Sequence, residues 1–244
     1  PSILISLVFN LKTEFKMSEH VVEKDMLLQV EGFWKKYQKV IIGAVAAIIV
    51  VVGGWYAYNT YIVAPKEEKA AEALYKVQEY FNQDSSNLVI NGDNATGVKG
   101  ALYVIKTYGG TKSANLAHYY AGISYLKLKD FNNAIKYLKN FSTGAKQIQM
   151  QAYAALGHAY AESGKKDEAV SFYKKAGTTF ESDEESSALN LSFAAGLLET
   201  MNKNSEALEI YKNIKQKYPS TTIGFTVDKY IYKLSVEKNE FSTN

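Results

Sequence analysis

Small and large apolar residues recur at one spacing in three stretches of the chain. The three sets are Gly122, Tyr125, Ala134 and Leu138; Gly157, Tyr160, Ala169 and Tyr173; and Ala195, Leu198, Ala207 and Tyr211. Their first members are 35 and 38 residues apart, and polar turn formers divide each set in the middle. Because apolar residues three and four positions apart share one face of a helix, each set predicts a helix A and a helix B. Such pairs cover their apolar faces by stacking, so the pattern predicts a stack of helical pairs.

An uncharged run from Val40 to Tyr58 differs from these amphipathic stretches. It has 19 residues, nine of them Val or Ile, and is apolar on every side. At about 1.5 Å per residue, a helix of this length covers roughly 28 Å, enough to cross the hydrocarbon core of a bilayer. The run therefore predicts a membrane-spanning helix. The alternative is a buried helix of a soluble domain, but the run lacks the polar stripe of a packed surface helix.

Charges on the two sides of this run predict its orientation. Lys35, Lys36 and Lys39 precede it, whereas its far side carries aromatic residues and then lysines balanced by glutamates. The positive-inside rule places the N-terminus in the cytoplasm and the C-terminal part across the membrane. A cleaved signal peptide is the alternative, but the run is longer than a typical signal core and no clear small-x-small cleavage site follows it. We favour an uncleaved signal anchor.

These patterns divide the chain into segments. Residues 1–39 form the predicted N-terminal tail, residues 40–61 the transmembrane anchor, and residues 65–244 the helical domain. Residues 1–16 do not begin with methionine, and we expect Met17 to be the true start. The rest of the tail is either a short amphipathic helix at the membrane surface or a plain tether.

The helical domain begins with a pair that departs from the repeat. Apolar spacing predicts a first amphipathic helix that Pro65 begins. Turn formers from Asn82 to Gly97 predict a loop, and Val98 to Tyr108 are predicted as the second helix. Full repeats are expected over about residues 115–219, and a capping helix over about residues 221–236. The residues expected to cover the last apolar face are Phe225, Val227, Tyr230, Ile231 and Leu234.

Composition narrows the classes of function. The hydrophobic content of 47% excludes a wholly disordered chain, and the presence of only three prolines suits an almost entirely helical one. The formal net charge of +3 is too slight to favour nucleic acid as a partner. Because the chain has no cysteine, disulfides, thiol catalysis and zinc-thiolate sites are excluded.

Residue types that carry catalysis or bind metals form no recognisable motif. His20, His118 and His158 are far apart, and none has the spacing of a metal site. We interpret His118 as a core histidine with its hydrogen bonds satisfied, whereas His158 is on the side that usually lines a groove. Asn91 to Asn94 lack the alternating ligands and closing glutamate of a calcium loop, so a turn is favoured. We predict a protein that is not an enzyme, with no catalytic, metal-binding or cofactor-binding residues.

One face of helix A in each repeat is predicted to line a groove that binds proteins. Its residues are Leu116, Tyr119, Ile123 and Leu126 in the first repeat, Gln151, Ala154, His158 and Glu162 in the second, and Leu189, Ser192 and Glu199 in the third. The first third of this face is apolar. It is either covered by the helices between Pro65 and Gly110, which we favour, or exposed as a binding surface.

The repeat positions resemble the tetratricopeptide repeat, whose period is roughly 34 residues. The expected fold is all-α, with a single N-terminal transmembrane helix followed by a tetratricopeptide-repeat α-solenoid. Anchor and repeats together resemble the YfgM family, the ancillary subunits of the bacterial Sec translocon. The segments Asn91 to Asp93 and Tyr108 to Tyr125 are especially similar to YfgM-like proteins of the Bacteroidota.

Members of this family lie in the bacterial inner membrane with their repeats in the periplasm. They associate with the translocation channel and with a membrane-anchored chaperone of prolyl-isomerase type. The resemblance implies a scaffold that assists the handover of exported proteins, anchored in the lipid bilayer through residues 40–61. Two alternatives stay open: a scaffold for another envelope complex, in cell division or outer-membrane assembly, and an enzyme with an unrecognised site.

Overall fold

The computed structural model describes residues 2–237, with the side chains of residues 30–236. It contains two compact units, one ending at Ile62 and the other beginning at Val63. Helices dominate both units. Within the described residues, strands are limited to one antiparallel hairpin of β1 (Gly92–Asp93) and β2 (Val98–Lys99). The predicted all-α class is confirmed.

The first unit is mainly one long helix, α1 (Ser2–Tyr58). Residues 17–39 are thus helical, although the side chains up to residue 29, which decide whether this part is amphipathic, lie outside the described ones. Among the described residues, one helix is long and apolar enough to cross a membrane; the mean hydropathy of its most apolar window is 2.4. None of that window is buried, which is not the state of a core helix in a soluble domain.

Pro65 lies close to a change in helix type. A π-helix (Asn59–Val63) follows α1, and α2 begins at Ala64. Proline has no backbone N–H to bond the carbonyl four residues earlier, which loosens the preceding turn. The helix predicted to begin at Pro65 thus begins one residue earlier, and Pro65 is its second residue.

The second unit is a series of helical pairs. Its helices are α2 (Ala64–Asn82), α3 (Ser86–Asn91), α4 (Ala101–Thr107), α5 (Lys112–Lys127), α6 (Phe131–Leu138), α7 (Lys146–Glu162), α8 (Lys166–Thr179), α9 (Glu184–Thr200), α10 (Asn204–Lys217), α11 (Thr222–Thr226) and α12 (Asp228–Glu237). The pairs α5/α6, α7/α8 and α9/α10 correspond to the three recurring sets of apolar positions. Helices α5, α7 and α9 are the A helices, and each packs against the B helix that follows it.

The turn from helix A to helix B has the same backbone geometry in each of these pairs and also after α2. One residue of each turn is left-handed: Asp84, Lys129, Gly164 and Asn202. The N–H of the next residue donates to the carbonyl five residues before it, over 2.9–3.0 Å in all four turns. Helix B begins two residues after the left-handed residue in every case. This hydrogen bond closes helix A and sets the start of helix B.

The turn at Asp84 corrects the loop predicted from Asn82 to Gly97. It shows that α2 and α3 form a helix A and the start of a helix B, which makes a repeat before the three predicted ones. Val89 and Ile90 are 0% and 2% exposed. The fifth position after the left-handed residue is fully buried in all four pairs, as Val89, Ala134, Ala169 and Ala207. Turn-forming residues flank α3 and disfavour a helix there. The free energy gained by burying its apolar residues exceeds this cost.

The β1–β2 hairpin interrupts helix B of this first repeat. The chain leaves α3 at Asn91, forms the hairpin, and resumes a helix as α4 at Ala101. The second helix predicted from Val98 therefore begins three residues later, because Val98 and Lys99 pair with β1.

Two clusters of buried residues form the core of the second unit. The first cluster joins α2, α3, α4 and α5 and includes Val77, Val89 and Val104. The second cluster extends from α6 to α12 and includes Leu156 and Leu198. Each cluster contains residues from more than one helical pair, so no pair is buried by its own helices alone.

The chain after α10 forms two helices where one was predicted. α11 and α12 meet at Val227, which is fully buried, and Leu234 in α12 is 1% exposed. Tyr230 and Ile231 are half-buried and pack against the second cluster. Phe225 is 71% exposed, so its predicted place against the core is wrong. In α11 the buried residue is Gly224, and Phe225 beside it lies on the outer side.

Gly157 allows α7 and α8 to approach closely. A Cβ atom added there would lie 2.6 Å from the ring of Tyr173. Gly196 in α9 is also helical, but the nearest atom to an added Cβ is the hydroxyl oxygen of Tyr211, at 4.0 Å. The two glycines differ in the space that surrounds them.

We expect Gly157→Ala to lower the free energy of unfolding by about 2 kcal/mol, because the Tyr173 ring must move out of its packed position. Gly196→Ala is the matched control and should raise the free energy of unfolding by up to about 1 kcal/mol, since alanine favours a helix. Urea unfolding of the detergent-solubilised chain, followed by circular dichroism, measures both. Effects of the same sign and size at the two positions would contradict the close approach at Gly157.

Candidate functional site

All the residues predicted to line the groove lie on the A helices α5, α7 and α9. We call this face the A-helix groove. Its residues fall into three groups along the stack. Each group consists of residues of one A helix and the residues of neighbouring helices that contact them. The three groups differ in exposure and in the partners of their polar atoms.

The α5 group is half-buried. Leu116 and Tyr119 pack against the first cluster, and Ile123 and Leu126 pack against the second. Tyr119 also reaches the next repeat, where its hydroxyl donates to Oε1 of Gln151 over 3.1 Å. This apolar third of the face thus contributes to packing between pairs and is not an open surface.

An aromatic group of His158, Tyr173 and Phe193 occupies the middle of the A-helix groove. Nδ1 of His158 and the hydroxyl oxygen of Tyr173 are 2.8 Å apart, at hydrogen-bond distance. The centroid of the Phe193 ring is 5.3 Å from that of His158 and 5.4 Å from that of Tyr173. Because the three residues come from α7, α8 and α9, the group joins two repeats. Phe193 remains 38% exposed toward solvent.

The His158–Tyr173 pair is uncharged at neutral pH. Desolvation lowers the pKa of His158, and the Glu162 carboxylate offsets this effect only in part. Burial also raises the pKa of Tyr173 to about 12, and Glu162 adds to that shift. At neutral pH the imidazole is therefore uncharged and the phenol keeps its proton. The pair supports the Phe193 ring and adds no charge to the groove.

The other predicted residues of α7 and α9 give the groove a mixed surface. Gln151 and Glu162 are exposed and polar, whereas Leu189 is apolar and 41% exposed. Ser192 is half-buried, and its hydroxyl donates to the carbonyl of Leu189 over 2.7 Å. Ala154 is half-buried as well. The exposed part of the groove thus combines an apolar centre with polar neighbours.

Glu199 has a structural role at the end of the groove. Its Oε1 accepts a hydrogen bond from the hydroxyl of Tyr211 over 2.7 Å, and its Oε2 accepts one from Nζ of Lys233 over 3.0 Å. Burial and the hydrogen bond to Glu199 both raise the pKa of Tyr211. Because both carboxylate oxygens have partners within the protein, Glu199 connects α9 to α10 and α12.

Phe193 is central to the groove, although the sequence pattern did not predict it there. It lies four residues after Leu189, on the same side of α9. The four-residue spacing from Leu189 was the available signal. The equivalent positions in α5 and α7 are Tyr120 and Ala155, which are 9% and 6% exposed, so the exposure of Phe193 does not follow from the repeat.

His118 differs from its prediction in one respect. Its ring lies 5.9 Å from the ring of Tyr137, and burial lowers its pKa. However, its buried Nδ1 has no hydrogen-bond partner among the described residues, so the predicted satisfied histidine is wrong. Within the described chain, no three His, Asp or Glu side chains are placed to hold a metal ion.

Comparison with known proteins agrees with the observed stack. The model of the tetratricopeptide repeat-like domain family matches residues 31–180, more than half of the chain. No curated protein matches the chain. The match begins within α1 and ends after α8, and the α9/α10 pair beyond it keeps the same turn, at Asn202. The chain therefore belongs to the tetratricopeptide repeat-like domain family.

Proposed function

We propose that this protein is a non-enzymatic, membrane-anchored scaffold whose A-helix groove binds proteins, as an ancillary subunit of the bacterial Sec translocon. Tetratricopeptide repeat-like domains are typical protein-interaction folds without catalytic activity, which supports the scaffold role. The apolar helix in the N-terminal part of the chain supports a single-pass anchor. The translocon role rests on the resemblance of the anchor and repeats to the YfgM family.

The observation that carries the binding role is the exposed apolar centre of the A-helix groove. Phe193 and Leu189 are 38% and 41% exposed, with Gln151 and Glu162 as exposed polar neighbours. An apolar centre with a polar rim is the usual composition of a protein interface. His158 and Tyr173 hold the Phe193 ring in place, so that little side-chain entropy is lost when a partner binds.

The proposed topology places residues 1–39 in the cytoplasm, residues 40–61 in the inner membrane and the domain from residue 65 in the periplasm. Lys35, Lys36 and Lys39 support this orientation through the positive-inside rule. The proposed partners are channel subunits of the translocon and a membrane-anchored chaperone of prolyl-isomerase type. The scaffold would assist the handover of exported proteins between them.

Co-purification tests this proposal. The full chain with a C-terminal tag is extracted in a mild detergent, and the proteins bound to it are quantified by mass spectrometry. We expect translocon channel subunits and the chaperone to be recovered. Leu189→Glu should lower their recovery about tenfold, because it places a charge in the apolar centre of the groove.

Phe225→Glu is the matched control. Phe225 is 71% exposed and lies on α11, outside the A-helix groove, so this substitution should leave the recovery unchanged. Equal losses in both variants would contradict binding through the groove. Recovery of cell-division or outer-membrane assembly proteins, without the translocon, would assign the scaffold to another envelope complex.

A further inference from the structure

A second concave surface lies on the first repeat, away from the A-helix groove. Residues of α2, β2 and α4, together with Tyr108 directly after α4, surround an open cavity of about 760 Å³. Its walls carry three tyrosines and three lysines, namely Tyr75, Tyr103, Tyr108, Lys69, Lys76 and Lys99. We call it the tyrosine–lysine groove. A volume in this range holds a few side chains of a peptide.

The groove exists because the β1–β2 hairpin interrupts helix B of the first repeat. Because of this interruption, β2 contacts α2, and helix B resumes as α4 only after the hairpin. The three later repeats have no such hairpin between their turn and the rest of helix B. The tyrosine–lysine groove is thus a feature of the first repeat, made by an insertion that the stacking of pairs does not require.

Two of the three tyrosines present exposed ring surface. Tyr75 is 66% exposed and Tyr103 is 40% exposed. Tyr103 and Tyr108 form an edge-to-face pair with ring centroids 6.2 Å apart. Tyrosine contributes large contact area with few rotatable bonds, which is why binding surfaces are rich in it.

The charge of the groove is unbalanced. Three lysines line it. Lys76 pairs with Glu79 over 2.9 Å, which leaves Lys69 and Lys99 against the one carboxylate of the groove, that of Glu72. Nζ of Lys99 lies 5.7 Å from the ring centroid of Tyr103. Over the part of the chain that the structure describes, neither Lys69 nor Lys99 forms an ion pair. The ammonium groups of Lys69 and Lys99 therefore have no carboxylate partner in that part of the chain and are available to an anionic one.

We propose that the tyrosine–lysine groove binds an acidic peptide segment of a partner protein, in which carboxylates flank an aromatic side chain. The carboxylates would contact Lys69 and Lys99, and the aromatic ring would pack on Tyr75 and Tyr103. The positive charges of the lysines favour acidic segments over uncharged ones, and the tyrosine rings provide the contact area. This binding is independent of the A-helix groove and of the translocon role.

Fluorescence anisotropy with a defined probe tests the proposal. The probe is the labelled, end-blocked peptide Gly-Asp-Glu-Trp-Glu-Asp-Gly, titrated with the full chain in non-ionic detergent. We expect it to bind at least about tenfold more tightly than the uncharged peptide Gly-Asn-Gln-Trp-Gln-Asn-Gly. Binding should also weaken as salt is added, because the charges are solvent-exposed.

Substitutions locate the binding. K69E/K99E should raise the Kd of the acidic peptide at least about tenfold, and Tyr75→Ser about threefold. K106E/K139E is the charge-matched control: both of its lysines are exposed and outside the groove, so the Kd should stay within about twofold of the parent value. Leu189→Glu should also leave this Kd unchanged, which separates this site from the A-helix groove. Circular dichroism checks that each variant keeps its helix content.

Three results would overturn the proposal. Equal affinity for the acidic and uncharged peptides would show that charge does not contribute to binding. Equal losses in K69E/K99E and K106E/K139E would show that only the overall charge matters. Binding of short-chain phosphatidylglycerol micelles, without binding of the acidic peptide, would assign the groove to a membrane surface.

Discussion

Replacing both Val50 and Val51 by lysine is expected to keep the apolar helix out of the bilayer. On an insertion scale the nine Val and Ile residues of the run favour insertion by roughly 4 kcal/mol, whereas each lysine near the centre costs about 3 kcal/mol. The two lysines together therefore exceed the favourable contribution of the run. Val50 and Val51 are 72% and 69% exposed, so no core contact is lost. The measurement is the fraction of the chain that stays in membranes after alkaline carbonate extraction.

V50L/V51L is the control for this experiment, because leucine favours insertion about as well as valine. It should remain in the carbonate-resistant fraction, like the parent chain. If V50K/V51K remained there too, the helix would not be the membrane anchor.

Gly92→Ala is expected to lower the free energy of unfolding of the first repeat by about 4 kcal/mol. Gly92 has a φ of +82°, and an added Cβ would lie 2.2 Å from the carbonyl oxygen of Val98 and 2.6 Å from the nitrogen of Gly100. These are backbone atoms of β2 and of the residue directly after it, which have less freedom to move than a side chain. The hairpin would have to open, and α3 and α4 would lose the connection that holds them against α5. Urea unfolding and hydrogen exchange of the amides in α3 and α4 measure the effect.

Gly97→Ala is the matched control in the same hairpin. Gly97 has a φ of +75°, but no atom lies within 4 Å of an added Cβ. Only the left-handed strain remains, so the expected loss is about 1 kcal/mol. Losses of similar size at the two positions would mean that backbone strain, and not the close approach of the strands, explains the need for Gly92.

The stack of pairs was predictable because its signal is repeated. Gly122 and Gly157 mark the places where helix A approaches helix B, and three copies of the same spacing reinforce one another. The apolar run was predictable for a related reason, since a membrane span must be apolar on every side over a fixed length.

The first repeat was harder to predict because its signal is short. Only Leu88, Val89 and Ile90 interrupt a run of turn formers, and that local pattern favours a loop. The turn at Asp84 and the packing of Val89 against α2 and α5 identify α3 as the start of a helix B. These interactions join residues far apart in the chain, which periodicity within a window does not detect.

The predicted groove residues show the same limit, because their side-chain contacts also involve residues far apart in the chain. The sequence placed them on one face of the A helices, where the structure has them, and favoured a covered apolar third, but it did not predict which segments cover these residues or bind their polar atoms. Leu116 and Ile123 are half-buried by neighbouring pairs, and both oxygens of Glu199 are occupied by Tyr211 and Lys233. Phe193, outside the predicted set, is the exposed centre.

Sequence alone determined the helical class, the apolar span and the register of the three recurring pairs, because each depends on spacing along one segment. Tertiary structure alone decided that α3 starts a further repeat, that the A-helix groove is open at Phe193, and that α2, β2 and α4 surround the tyrosine–lysine groove. The physical reason is that burial and the pairing of charges depend on which distant segments come into contact.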